Sequence, residues 1–167
     1  GRLMSFIDNV APSATELFPE SLVDGDELEC KASGPATLFV FKTLIEPHLG
    51  KLSFFKVMSG EINAGMDLVN SVTGQTERLN QLFIMDGKNR NVVSKLTAGD
   101  IGATLKLKDT LTNQTLCTAG KRIEIEPIHF PDARLRTAII AKNKTDDEKL
   151  GTVLAEIHQE DPTLNIE

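Results

Sequence analysis

ATLFVFKTLIEPHLGKLSFFKVMSGEINAGMDLVNS, residues 36–71, reads as two paired strands, a tight turn and a third strand. Leu38, Val40 and Lys42 alternate with Phe39, Phe41 and Thr43, so one strand turns an apolar row and a mixed row to opposite faces. Glu46-Pro47-His48-Leu49-Gly50 breaks that pattern: Pro47 fixes φ and Gly50 supplies freedom at the corner. Leu52, Phe54, Lys56 and Met58 then restart a period-two strand, and Ser59-Gly60 and Ala64-Gly65 punctuate the return. This is a β-meander belonging to a sandwich or a small barrel.

Working outward, Thr76–Asp86 (TERLNQLFIMD) is a further strand, followed by a polar loop, GKNRN. Asp100–Asp109 alternates Ile101, Ala103, Leu105 and Leu107 against Gly102, Thr104, Lys106 and Lys108, a half-buried strand with lysines on its wet face. Lys121–Ile128 alternates again and is expected to close the sheet. Short strands at this spacing favour a barrel or sandwich over layers containing helices.

At the N-terminus, Leu3, Met4, Ile7 and Val10 stand at helical spacing and Pro12 ends the pattern. A helix this short is marginal alone and needs a surface to lie on. Residues 11–35 contain Pro12, Pro19, Gly25 and six acids, the composition of a solvated connector with at most a short edge strand at Glu27–Lys31. Beyond Phe130-Pro131-Asp132, residues 134–141 read as a strand and a helix follows. Thr145 and Glu148 form a capping box, Leu150, Val153, Leu154 and Ile157 make one apolar stripe, and Pro162 stops it. That stripe needs cover; disorder, a crystal contact and packing on the barrel are the three options.

The chain has 167 residues, 40% apolar and 25% charged, enough for one real core and part of a second domain. No apolar run approaches the roughly 20 residues of a membrane span, so no membrane partner is expected. Cys30 and Cys117 show no metal-type pairing. This usage fits a reducing, cytoplasmic compartment, with one distant disulfide as the alternative. The net charge of −6 argues against nucleic acid until it is divided: residues 36–125 carry 11 basic and 8 acidic groups, between acidic flanks. A mildly basic middle sets lysines against phosphate locally, although an ordinary mixed surface explains the charge equally well.

Sites of chemistry are few. Asn143-Lys144-Thr145-Asp146 after an apolar run has the form of a guanine-reading motif. No phosphate-cradling G-x-x-x-x-G-K-[ST] loop accompanies it, and Thr145 serves better as a helix cap. Gly99-Asp100-Ile101-Gly102 precedes a strand rather than a helix, so it is a turn. His48, His129 and His158 lack neighbours at ligand spacing, so no metal, cofactor or catalytic residue is expected. Phe39, Phe41, Phe54 and Phe55 suit a base-stacking platform or, the simpler reading, core packing with at least one of each pair buried. The positive candidates are loop tips: Pro47, His48, Gly50 and Lys51 in the first hairpin, Lys88 and Arg90 in GKNRN.

FVFKTLIEPHLGKLSFFKVMSGEINAG resembles the second domain of bacterial elongation factor G, the translocation GTPase. The likeness continues collinearly through Asn70–Gly74, Glu77-Arg78, Ala98–Ile101, Leu107–Thr110, Thr115–Cys117, Phe130-Pro131, Asp147–Leu150 and Glu160–Thr163. It implies a small closed antiparallel β-barrel over 18–128. Before it, 1–17 would be the last helix of a GTPase domain with its linker, and 129–167 the opening strand and helix of the third, α/β domain. GTP and magnesium would belong to the GTPase domain and to no residue of this fragment, which would have no catalysis of its own. The barrel would meet the small-subunit ribosomal RNA and the GTPase domain of the same protein, as a monomer, with the two candidate loops at the RNA. Departures lie at Met58 (commonly Tyr), Ile139–Lys142 (Ile-Glu-Pro-Lys) and Asn113-Gln114 (Gly-Asp). They leave the subtype open between the housekeeping translocase, a diverged paralogue and a ribosome-protection or recycling factor. A protein-interaction barrel without an RNA role is the alternative from another class.

Overall fold

The hairpin expected around Glu46–Gly50 is present and organises the rest. In this computed structural model residues 1–46, 50–141 and 143–166 are described, with the backbone alone at 144, 145, 147 and 148. In chain order the elements are α1 (Arg2–Val10), β1 (Glu20–Ser21), β2 (Glu27–Leu28), β3 (Thr37–Glu46), β4 (Gly50–Ser59), β5 (Glu61–Asn63) and β6 (Met66–Asn70). They continue with β7 (Thr76–Leu79), β8 (Leu82–Asp86), β9 (Asn89–Val93), β10 (Lys95–Thr97), β11 (Ile101–Leu105), β12 (Gln114–Cys117) and α2 (Lys144–Glu160).

Eight strands form one antiparallel sheet in the order β7-β6-β12-β3-β4-β11-β8-β9. It curls into a half-barrel, with β5–β10 and β1–β2 as separate two-stranded ribbons. The mainly β, curled antiparallel architecture is the one expected. Its closure differs: the outer strands β7 and β9 share no ladder among the described residues. Leu79 and Leu82, on either side of the β7–β8 link, are both fully buried in the interior cluster, so side chains rather than backbone pairing fill the gap.

Alternation on β3 puts an apolar row and a mixed row on opposite faces, and Thr37, Leu38, Phe39 and Val40 are all buried. Leu38 and Val40 enter the barrel interior with Phe55, Val57, Leu68 and Leu116. Phe39 faces the other way, into an outer cluster with Met58, Cys117, Leu22, Leu28, Ile123 and Ile125. Each fully buried Leu or Phe contributes about 1.5–3 kcal/mol relative to exposure, so covering both faces makes this hairpin the most costly place to cut volume. A register shift between Val40 and Lys42 marks a bulge that admits Phe41, whose ring lies 6.5 Å from Phe54. Phe39 and Phe55 are core and Phe41 and Phe54 half-buried, so one of each pair is buried.

Several element boundaries differ from the sequence reading. Thr76–Asp86 is two strands, broken at Asn80-Gln81. Asp100–Asp109 ends as a strand at Leu105, because Lys106 takes φ 62° and turns Leu107 into the core. Lys121–Ile128 does not join the main sheet. It lies along the N-terminal ribbon through one bridge, Leu22–Ile125, and through Val23 N–H donating to the Glu124 carbonyl. The connector 11–35 is more structured than expected, with β1–β2 and a buried Leu22 and Leu28. Cys30 and Cys117 are free.

Residues 134–141 form no strand, and Leu135 and Ile140 are 95% and 88% exposed. A strand needs a neighbour to take its N–H and C=O groups, and no described strand runs beside this one. The helices were legible. α1 leaves all its apolar side chains exposed. α2 starts two residues earlier than the capping box implied, with Asn143 as N-cap; the Thr145 and Glu148 side chains lie outside the described residues. Its stripe is only partly covered by the barrel: Leu150 and Leu154 are half-buried while Val153 and Ile157 stay exposed, and the Ile45 N–H of β3 donates to the Glu160 carboxylate.

Gly60 holds the corner between β4 and β5 at φ 73°, and a Cβ there would stand 2.7 Å from the Ala36 backbone and the Gly34 carbonyl. Gly74 has φ 72° but open space around it. Gly60→Ala therefore adds a backbone collision to the left-handed strain and should cost about 2–4 kcal/mol, against about 1–2 for Gly74→Ala, measured by urea unfolding.

Candidate functional site

The candidate residues separate on inspection. Pro47 and His48 lie outside the described residues. Gly50, at φ 80°, opens β4 opposite Glu46. Lys51 is not a loop tip: it is the second residue of β4, half-buried, and its Nζ donates to the Thr110 carbonyl at 2.9 Å and the Lys108 carbonyl at 3.5 Å. Burial holds its pKa below the ordinary lysine range, opposed by the nearby carboxylates of Glu77 and Asp109.

GKNRN is not a loop either. Asp86 pairs with Asn89, so Gly87-Lys88 is a two-residue hairpin turn and Arg90 belongs to β9, opposite Met85. Lys88 is exposed at the turn. Arg90 is half-buried and donates to the Glu46 carboxylate at 3.3 Å. The structure thus brings Arg90 to the far end of β3, beside Gly50, and leaves Lys88 as the exposed cation among the described residues of the two loops.

Beneath Lys51 is a polar network that sequence reasoning missed. Glu77 on β7 is 3% exposed. Its carboxylate accepts from Lys108 N–H at 3.0 Å, Asp109 N–H at 2.8 Å and the Thr110 hydroxyl at 2.9 Å. Buried Asn70 donates to Thr110 Oγ1 and Gln114 Oε1, while its own Oδ1 accepts from Val72 and Thr73 N–H. Turned away from the ladder by Lys106, the 107–110 backbone finds its acceptors in these side chains. The available signal was alternation itself: Glu77 shares a row with Leu79, and Asn70 with Leu68, so both fall on the inward face.

Other motifs settle structurally. Asp100 closes the turn before β11, accepting from the N–H and hydroxyl of Thr97 at 2.7 and 3.1 Å. Asn143 donates its amide to the Asp146 carboxylate at 3.1 Å, so the two guanine-type residues are tied to each other at the start of α2. His158 stands in the last turn of that helix, its Nδ1 beside the Leu164 carbonyl. Among the described residues no group of three or more His, Cys, Asp or Glu is placed to hold a metal ion, and no helix is long and apolar enough to cross a membrane.

Residues 35–119 match the family model for elongation factor G domain 2, and residues 130–167 match that for elongation factor G domain III. The chain belongs to the elongation factor G family. A crystal structure from Thermus thermophilus is similar over 99% of this chain, with a TM-score of 0.81 and 27% identity. This chain spans 23% of that protein's length. The matched domains of elongation factor G are its non-catalytic ones, and the curled barrel with its two flanking helices is the domain 2 fold carried into domain III sequence.

The network makes two predictions. Glu77→Ala strands one buried and two part-buried donors and should cost about 2–4 kcal/mol in urea unfolding, more than any exposed carboxylate of the barrel. Lys51, with its folded pKa lowered, binds fewer protons folded than unfolded between that value and the ordinary one near 10.4. Its contribution to stability therefore rises with pH across that window and is lost as pH falls through the folded pKa. Unfolding from pH 8 to 10.5 should show wild type gaining on Lys51→Met as pH rises.

Proposed function

We propose that this segment of an elongation factor G-family translation factor is the passive shoulder of a ribosome-bound GTPase. The barrel leans on small-subunit ribosomal RNA and on the GTPase domain, which holds GTP and magnesium and sets the arrangement of domains. In that reading the whole protein acts in ribosomal translocation in the cytoplasm, and this segment, a monomer, turns over no nucleotide. Ribosome protection or recycling by a paralogue would use the same shoulder. The reading rests on the collinear match to two consecutive domains of one translation factor, and the observation that carries it to a surface is exposed Lys88 on a rigid two-residue turn. A lysine there meets phosphates, which position a protein without reading sequence.

Lys51 and Arg90 are poor probes of that contact. A carboxylate at 51 would face Glu77 and Asp109, and one at 90 would face Glu46, so both substitutions confound docking with folding. Lys88→Glu touches neither. It should weaken binding to purified small ribosomal subunits about 3–10-fold and reduce the salt dependence by about one phosphate contact, with the melting temperature unchanged. Salt-independent binding, or none, would favour a barrel that meets only proteins. Tight guanine-nucleotide binding by the chain would contradict the reading outright.

A further inference from the structure

We propose that Asp86, at the turn between β8 and β9, is a site of spontaneous isoaspartate formation, and that the product is a substrate for an S-adenosylmethionine-dependent carboxyl methyltransferase. The chemistry is independent of what the barrel docks on. Asp86-Gly87 is one of two Asp-Gly steps in the chain; the other is Asp24-Gly25. Glycine leaves the amide nitrogen after an aspartate least hindered, because it carries no side chain. A Cβ built on either glycine would meet nothing within 4 Å, and all four residues are exposed.

The two steps differ in the state of that amide. Gly25 N–H donates to the Leu22 carbonyl at 3.0 Å, and the Asp24 carboxylate accepts from Asp26 N–H at 3.1 Å. Both reacting groups are therefore engaged. Gly87 N–H meets no acceptor among the described residues. Asp86 and Asn89 close the β8–β9 ladder, so Gly87, at φ 56°, stands outside it, and β9 is the last strand of the sheet. Asn70-Ser71, where the same attack would release ammonia, is shut down by burial. The Asn70 amide is bonded through both Nδ2 and Oδ1, and Ser71 N–H donates to the Thr115 carbonyl at 3.0 Å.

The step needs only water. The Gly87 nitrogen attacks Asp86 Cγ; an N–C bond forms, the amide proton leaves with the carboxyl hydroxyl as water, and a succinimide ring closes. Water then adds back. Opening at Cγ restores aspartate, whereas opening at the main-chain carbonyl leaves the chain running through Cβ and Cγ, with the α-carboxylate as its branch. Nothing is oxidised or reduced, and the composition is unchanged. The product carries an extra methylene in the backbone, so the Asp86–Asn89 rung loses its register and the turn bearing Lys88 is rebuilt. The methyltransferase would move the sulfonium methyl of S-adenosylmethionine to that α-carboxylate and release S-adenosylhomocysteine. Loss of methanol from the ester then recloses the succinimide, a route back to aspartate.

The test ages the folded 167-residue chain at neutral pH. Isoaspartate is counted by labelled methyl transfer from S-adenosylmethionine with a purified isoaspartyl methyltransferase, and located by peptide mapping against synthetic isoaspartyl standards. The Asp86 peptide should convert about 2–10-fold faster than the Asp24 peptide, the factor set by releasing one amide hydrogen bond, and the Asn70 peptide should stay unchanged. Asp86→Glu, whose imide ring is larger and slower to close, should lose the first signal and keep the second, with the melting curve of wild type. In guanidinium chloride the two Asp-Gly steps should convert alike; a gap that persisted there would trace the difference to sequence and overturn the proposal. Equal conversion in the folded chain, faster conversion at Asp24, or none at Asp86 where the unfolded chain shows it, would also overturn it. No readout involves ribosomal subunits, so the docking reading stands or falls separately.

Discussion

The Glu77 carboxylate is the constraint on which this domain hangs. β11 cannot run straight into β12: the chain must leave one side of the hairpin and return on the other, next to β3. Lys106 takes the left-handed conformation to start that crossing, which removes residues 107–110 from any ladder while carrying Leu107 into the interior. A buried backbone without ladder partners would cost far more than one apolar side chain returns. Glu77 resolves this by accepting from three consecutive residues of the crossing, and Lys51 covers the same segment's carbonyls from the other side. Asn70 then joins Thr110 to Gln114, the first residue of β12, so the register of β12 against β3 follows from the same cluster.

That arrangement changes what the charge distribution means. The excess of basic groups in residues 36–125 suggests lysines available to phosphate. Five of those 11 basic groups are engaged within the fold: Lys51 with carbonyls, Arg90 with Glu46, Lys56 with Glu20, Arg78 with Asp67 and Lys95 with Glu61. The exposed pairs contribute little to stability, yet each one screens a cation from a distant partner. A barrel of this kind cannot present a broad positive field. It can hold an anionic partner only at a few corners where donors outnumber acids, and that makes the geometry of individual turns decisive.

How much of this was legible follows from the range of the forces involved. The β3–β4 hairpin, both helices and the turn at Asp100 are signalled by patterns within a dozen residues, and they appear where the patterns put them. The false strand at 134–141 shows the converse: Ala138–Ala141 has the right propensity, but a strand exists only in its partner's presence. GKNRN reads as a loop by composition because Lys, Asn and Arg are polar, whereas the two-residue turn is set by the pairing of Asp86 with Asn89. Arg90 and Lys51 were misplaced for the same reason, since the acids and carbonyls that hold them are 44 and 59 residues away. Glu77 and Asn70 each had a local clue, a place on a core-facing row, which for Glu77 the surrounding polarity of Thr76 and Arg78 obscured.

The junction toward domain III shows how such long-range polar contacts shape the whole. Asn113, at φ 70°, exchanges two hydrogen bonds with the Ile128 backbone, donating from Nδ2 at 2.9 Å and accepting on Oδ1 at 3.0 Å. A side-chain amide thereby stands in for one rung of a ladder, holding the chain to the barrel just before it departs along exposed residues 131–140. The helix beyond them returns to β3 through Glu160 and the Ile45 N–H, a donor that the end of a hairpin strand leaves free. Between those two points residues 131–140 are exposed throughout. Two polar contacts and a partly buried pair of leucines join domain III sequence to the barrel, with far less apolar cover than the doubly covered hairpin on which it rests.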